Sequence, residues 1–128
     1  MSREHLDAGQ QGEDAAVRWL ESRGWRVHAR RERIAGVEVD VIATDPEAAA
    51  LVIVEVKARR MARGASRASM RPEENVNRDK LVRLSRAAHA LEPRARRMGL
   101  SIRVDVIAVH VGSGACDDRV EHFPDATG

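Results

Sequence analysis

Aromatic side chains are nearly missing from this chain: Trp19, Trp25 and Phe123 make up the 2% that the sequence of 128 residues contains. Reading of single-stranded bases depends on aromatic stacking platforms, so contact with a nucleic acid would have to rest on backbone and shape instead. The only cysteine, Cys116, lies in the turn-like stretch GSGACDD; it cannot form an internal disulfide and suits a reducing compartment. The longest apolar run, Ala48 to Val54, is far too short to span a bilayer, and the polar start MSREHLDAGQQGED has no apolar signal core. The expectation is a cytoplasmic protein with no membrane partner. His5, His28, His89, His110 and His122 show no zinc spacing, and GSGAC is not followed by the lysine of a phosphate-binding loop. Lysine is scarce as well: 20 of the 22 basic residues are arginine, leaving Lys57 and Lys80.

What is present describes a globular chain. With 43% hydrophobic and 33% charged residues it can bury a core, and its length suits one domain over 1–128, with a core at about 9–111 and an irregular tail at 112–128. The net charge of +2 hides a segregation. From Lys57 to Arg103 there are 14 basic and 4 acidic residues, a local +10, while the remainder carries −8. Such a segment is an electrostatic footprint for phosphate backbones, or else a solvated arginine-rich surface.

Periodicity supplies the elements. Gly9 to Arg23 reads as a helix, with Ala15, Ala16, Trp19 and Leu20 on one face and Gly24 as its stop. Trp25 to Arg33 alternates loosely as a strand. Val37 to Ala43 alternates strictly, which places Val37, Val39 and Val41 on one face and Glu38, Asp40 and Ile42 on the other. Leu51 to Ala58 is apolar on both faces until Glu55 and Lys57, the pattern of a central strand. After the aperiodic basic stretch MARGASRASMR, Pro72 to Leu91 reads as a second helix, followed by a basic extension or short helix over Pro93 to Gly99 and a strand from Ile102 to Val111. The order α-β-β-β-α-β predicts an α/β fold with a mixed central sheet flanked by helices.

Two of these strands carry charge at i and i+2, hence on one face each: Glu38 with Asp40, and Glu55 with Lys57. A carboxylate on a strand as apolar as that of Glu55 needs a metal, a cation or water beside it. If the two strands are neighbours, Asp40 and Glu55 converge as hard oxygen ligands suited to Mg²⁺ or Mn²⁺, and Lys57 can orient or deprotonate a water, or stabilise charge on a phosphate. That is a site for phosphodiester hydrolysis. The competing reading is a cross-strand salt bridge between Lys57 and a carboxylate. Retention of lysine in an arginine-rich chain favours the first, because the planar guanidinium is a fixed cation that cannot activate water. Lys80 is either a phosphate contact or an ordinary exposed helix lysine.

Several segments together resemble one family: Gly9-x-x-Gly12-Glu13-x-x-Ala16, Glu38 to Ala43, Val54 to Arg59, Lys80, and Arg103 to Ile107. The chain resembles the YraN-type family of small bacterial predicted endonucleases, itself similar to archaeal Holliday junction resolvases within the restriction-endonuclease-like fold. The resemblance implies a divalent-metal-dependent endonuclease acting on DNA, branched or junction DNA among the candidates, and a homodimer, since two sites must address two strands. It implies Asp40 and Glu55 as metal ligands helped by the carbonyl of Val56, Lys57 as the catalytic lysine, Glu13 as the helix glutamate that completes such sites, and Glu38 as an accessory. Arg30, Arg33, Arg59 and Lys80 would contact the nucleic acid. Val37 departs from the family pattern, which has glycine there, and Arg31 replaces a common asparagine. The alternatives are a nucleic-acid-binding module on the same fold that cleaves nothing, and an adaptor whose charged pairs are salt bridges.

Overall fold

The computed structural model describes residues 8–60, 78–112 and 118–127. Helix α1 runs Ala8–Ser22, followed by strands β1 (Arg26–Ile34), β2 (Val37–Asp45) and β3 (Ala50–Arg60); helix α2 runs Arg78–Arg97, and strands β4 (Ser101–Val111) and β5 (Arg119–Phe123) complete the order. The strands form one sheet in the order β1-β2-β3-β4-β5. Neighbours are antiparallel except β3 and β4, which run parallel and are joined through α2. A parallel pair needs a long crossover, and the helix supplies it. The expected mixed sheet with helices is therefore present.

The central strands bury both faces, so two apolar clusters form. Ala15, Ala16 and Leu20 of α1 pack on Val52, Val54, Ile107 and Val109. Leu84, Ala88 and Leu91 of α2 pack on Leu51, Ile53 and Val104. The alternation of β3 decides the split: even-numbered residues point to α1 and odd-numbered residues to α2. Gly12 lets α1 approach, since a Cβ there would collide with the Cβ of Ala58.

Two expectations need correction and one is narrowed. The tail from Gly112 is not wholly irregular: β5 pairs with β4, Val109 opposite Val120. Of the two readings of the segment from Pro93 the extension holds, since α2 continues through it to Arg97. Pro93 and His89 both lie on the exposed side, where water can take the His89 carbonyl that proline leaves without an N–H partner. The uniform alternation of β2 also fails: Val37 and Val39 pack in the α2 cluster, whereas Val41 packs in the α1 cluster. The start predicted for α2, at Pro72, lies outside the described residues, as does Cys116. No helix among the described residues is long and apolar enough to cross a membrane.

Candidate metal and nucleic-acid site

The change of face in β2 marks the place where the sheet opens. β2 pairs with β3 only from Val41 to Asp45, opposite Val54 to Ala50. Before Val41 the strand stays paired with β1 alone, and between Arg30, opposite Val41, and Glu32, opposite Val39, stands Arg31, whose φ of 53° is a left-handed value unusual within a strand. β3 continues without its neighbour. Its next free amide, that of Val56, donates to Asp40 Oδ2 at 2.8 Å. The Asp40 side chain thus takes over a bond that the ladder no longer supplies.

That bond sets Asp40 against Glu55. Glu55 lies on the α2 face of β3 and is 5% exposed. Burial first, and then the hydrogen bond and charge of the Asp40 carboxylate, push Glu55 up to about 8, while Lys80 and Lys57 pull the other way. Two carboxylates that share a buried spot cannot both ionise cheaply. Glu55 Oε2 is buried without a hydrogen-bond partner. Lys80 Nζ reaches it at 3.4 Å, an ion-pair distance without hydrogen-bond alignment. Lys57, two residues along β3, is half-buried on the same side.

The remaining candidates separate. Glu13 is buried at 6% on α1 but turned to β1: Arg30 Nε donates to Oε1 at 2.9 Å, and Arg31 Nε to Oε2 at 3.2 Å. Among the described residues none of its bonds reaches Asp40, Glu55 or Lys57. Arg30 also donates to Asp14 at 2.6 Å, so it is engaged within the protein. Arg33 donates to the Gly36 carbonyl across the β1–β2 turn, where Gly36 itself has φ of 79°. Glu38 and Arg59 are exposed. Val56 takes part through its amide.

The donor set accepts a divalent cation in one respect and limits it in another. An orphaned buried carboxylate oxygen beside a second carboxylate suits a hard ion. Yet among the described residues no three His, Cys, Asp or Glu side chains could hold a metal ion together. Magnesium is commonly held by one or two carboxylates, with water and substrate phosphates completing its shell, so a pair is compatible with it.

Sequence reasoning placed Lys80 among nucleic-acid contacts and missed its approach to Glu55; the signal available was the scarcity of lysine. It also missed a second polar cluster. Asp105, fully buried, accepts from Arg103 Nε and Nη2 at 2.8 Å each, from the Asp125 amide at 3.0 Å, and lies 2.7 Å from His122 Nε2. Arg103 also reaches Asp45 at 2.9 Å.

Comparison with known proteins decides the family. Residues 12–109 match the one described as Uncharacterised protein family UPF0102. The chain belongs to that family. A UPF0102 protein of Anaeromyxobacter dehalogenans is 40% identical over 118 residues, 92% of this chain and 81% of that protein. One from Pseudarthrobacter chlorophenolicus is 45% identical over 116 residues, 90% of this chain and 81% of its own length. One from Bacteroides thetaiotaomicron is 34% identical over 123 residues, 96% of this chain and 93% of its own. The resemblance to the YraN-type family is thereby shown, and the UPF0102 match runs from Gly12 in α1 to Val109 in β4, taking in Asp40, Glu55 and Lys57.

Proposed function

We propose that this protein hydrolyses phosphodiester bonds in DNA with a divalent cation, as an endonuclease of restriction-endonuclease-like fold, and that branched DNA is among its substrates. One observation carries the reading: where β2 leaves β3, Asp40 and Glu55 meet and Glu55 Oε2 is left buried without a hydrogen bond. Asp40 and Glu55 would hold Mg²⁺ or Mn²⁺, which when bound lowers the pKa of water and offsets charge on the phosphate. The Val56 amide fixes Asp40, so its carboxylate is oriented before any ligand arrives. Lys57 would orient the attacking water or steady the phosphate from the α2 side. Support for a polyanionic partner comes from α2, which exposes Arg78, Arg83, Arg86, Arg96 and Arg97 on the layer that Glu55 faces. A homodimer would let two such sites address two strands.

The engagement of Glu13 by Arg30 and Arg31 favours a second reading, a nucleic-acid-binding module that does not cleave, because it leaves two carboxylates where a third was expected. Incubation of duplex, flap and four-way DNA with Mg²⁺ or Mn²⁺ separates the two. Cleavage that disappears in Asp40→Ala and Lys57→Ala supports the nuclease. Salt-dependent binding of intact DNA with no Mn²⁺ uptake by calorimetry supports the module.

A further inference from the structure

Two lysines survive in a chain whose other 20 basic residues are arginine, and their charges are the two cations that act on Glu55. Lys57 does so from the same strand. Lys80 does so from α2, across the layer boundary, with its ammonium 3.4 Å from the carboxylate oxygen that lacks a hydrogen bond. We propose that Lys80 is a positioning residue of this site: its ammonium holds Glu55 while no metal is bound, competes with the divalent cation for Oε2, and turns to the substrate phosphate once the cation is in place. The inference rests on the nuclease reading and gives Lys80 a role on both sides of metal entry.

The chemistry of the side chain fits that role. A cation parked at Glu55 must offset the charge that appears when the carboxyl ionises, and then let go. An arginine would seat its fork on both carboxylate oxygens through parallel N–H bonds, a pair that resists displacement. An ammonium is a point charge on a flexible stem. At 3.4 Å without alignment it steadies the carboxylate electrostatically and leaves the lone pairs of Oε2 for a metal. Its side chain is 29% exposed, so it can swing toward solvent, or toward a bound phosphate, without disturbing the α2 core of Leu84, Ala88 and Leu91. That partial exposure also makes substitution compatible with folding.

Calorimetric titration of Mn²⁺ into wild type, Lys80→Met and Lys80→Arg in the absence of DNA tests this, alongside cleavage at saturating Mn²⁺. Lys80→Met removes the competitor and should bind Mn²⁺ about three- to tenfold more tightly than wild type. Lys80→Arg should bind it more weakly than wild type. Both variants should cleave more slowly at saturating metal, since neither brings an ammonium to the phosphate. Equal Mn²⁺ affinity across the three proteins, or weaker binding by Lys80→Met, overturns the role of Lys80 and leaves the nuclease reading standing. Failure of wild type to take up any Mn²⁺ overturns both.

Discussion

Two carboxylate clusters lie on the same sheet and have opposite characters. Around Asp105 every bond is made: a guanidinium, an imidazole and a backbone amide surround a group that is 0% exposed. Burial alone would raise its pKa, but the bonds from Arg103, His122 and the Asp125 amide outweigh burial and hold the carboxylate below its ordinary range. Around Glu55 the sum does not close: burial and Asp40 raise it to about 8, and one oxygen has no hydrogen bond. A satisfied buried network fastens a fold, here the β5 end of the sheet to β4, whereas an unsatisfied one costs stability and is kept where chemistry requires it. The contrast assigns Asp105 to architecture and supports the role proposed for Glu55 in function.

Exchanging the consequences is the most direct way to break this contrast. Asp40→Ala should lower DNA cleavage by about a thousandfold, since a cation's several kcal/mol of transition-state stabilisation go with its ligand. Its melting temperature should fall less than that of a fully buried aspartate variant, because Asp40 is half-buried and water can take over its bond to the Val56 amide. Asp105→Ala should do the reverse. It strands His122, leaves Arg103 with Asp45 as its carboxylate partner, and should cost about 3–5 kcal/mol, lowering the melting temperature by about 10 °C or more. Per folded molecule, well below that melting point, its cleavage should match wild type. A variant of Asp105 that melts normally and cuts poorly would reverse the assignment of the two clusters.

How much of this was readable depended on where the partners lie in sequence. β3 announced itself, because a central strand is apolar on both faces and Glu55 and Lys57 interrupt it. The meeting of Asp40 with Glu55 followed from two neighbouring strands with a short link. β5 was hidden: Arg119 to Phe123 is half-buried throughout, without the alternation that a strand on a core displays. Uniform alternation misled for β2, since its face changes where pairing with β3 stops and no residue type marks that point. The Arg30 and Arg31 contacts to Glu13 join residues 17 and 18 apart across two layers, and Lys80 meets Glu55 across a crossover. Local pattern carries no signal for such pairs; the rarity of lysine and the family resemblance pointed to Lys80, and neither pointed to its partner.

The site also depends on how closely α1 approaches β3, and Gly12 controls that distance. Gly12→Val would drive a branched side chain into Ala58, the residue after Lys57. Overpacking of this kind should cost about 2 kcal/mol, read from urea unfolding. Cleavage should fall as well, because the end of β3 that carries Lys57 has to shift. Gly12→Ala should show the same change in weaker form, part of the clash being offset by alanine's helix preference. A Gly12→Val protein as stable and active as wild type would show that α1 approaches less tightly than the fold requires.

Titration separates the clusters by pH. Folding lifts Glu55 from its ordinary 4.5 to about 8, so the folded chain keeps a proton there that the unfolded chain releases between those values. The stability linked to that proton is present in full below about 4.5 and is lost as pH rises through about 8. Asp105 has the opposite sign: its pKa is lowered, so its contribution holds above its ordinary 3.8 and disappears only in acid. Metal-free wild type should therefore lose melting temperature from pH 5 to pH 8, and Glu55→Gln should lose less. On the proposed function Mn²⁺ would replace the proton, so it should stabilise wild type more at pH 8 than at pH 5 and have little effect on Glu55→Gln. Parallel melting curves for the two proteins across that range would mean that Glu55 ionises without strain, and the contrast between an open and a closed carboxylate would lose its energetic basis.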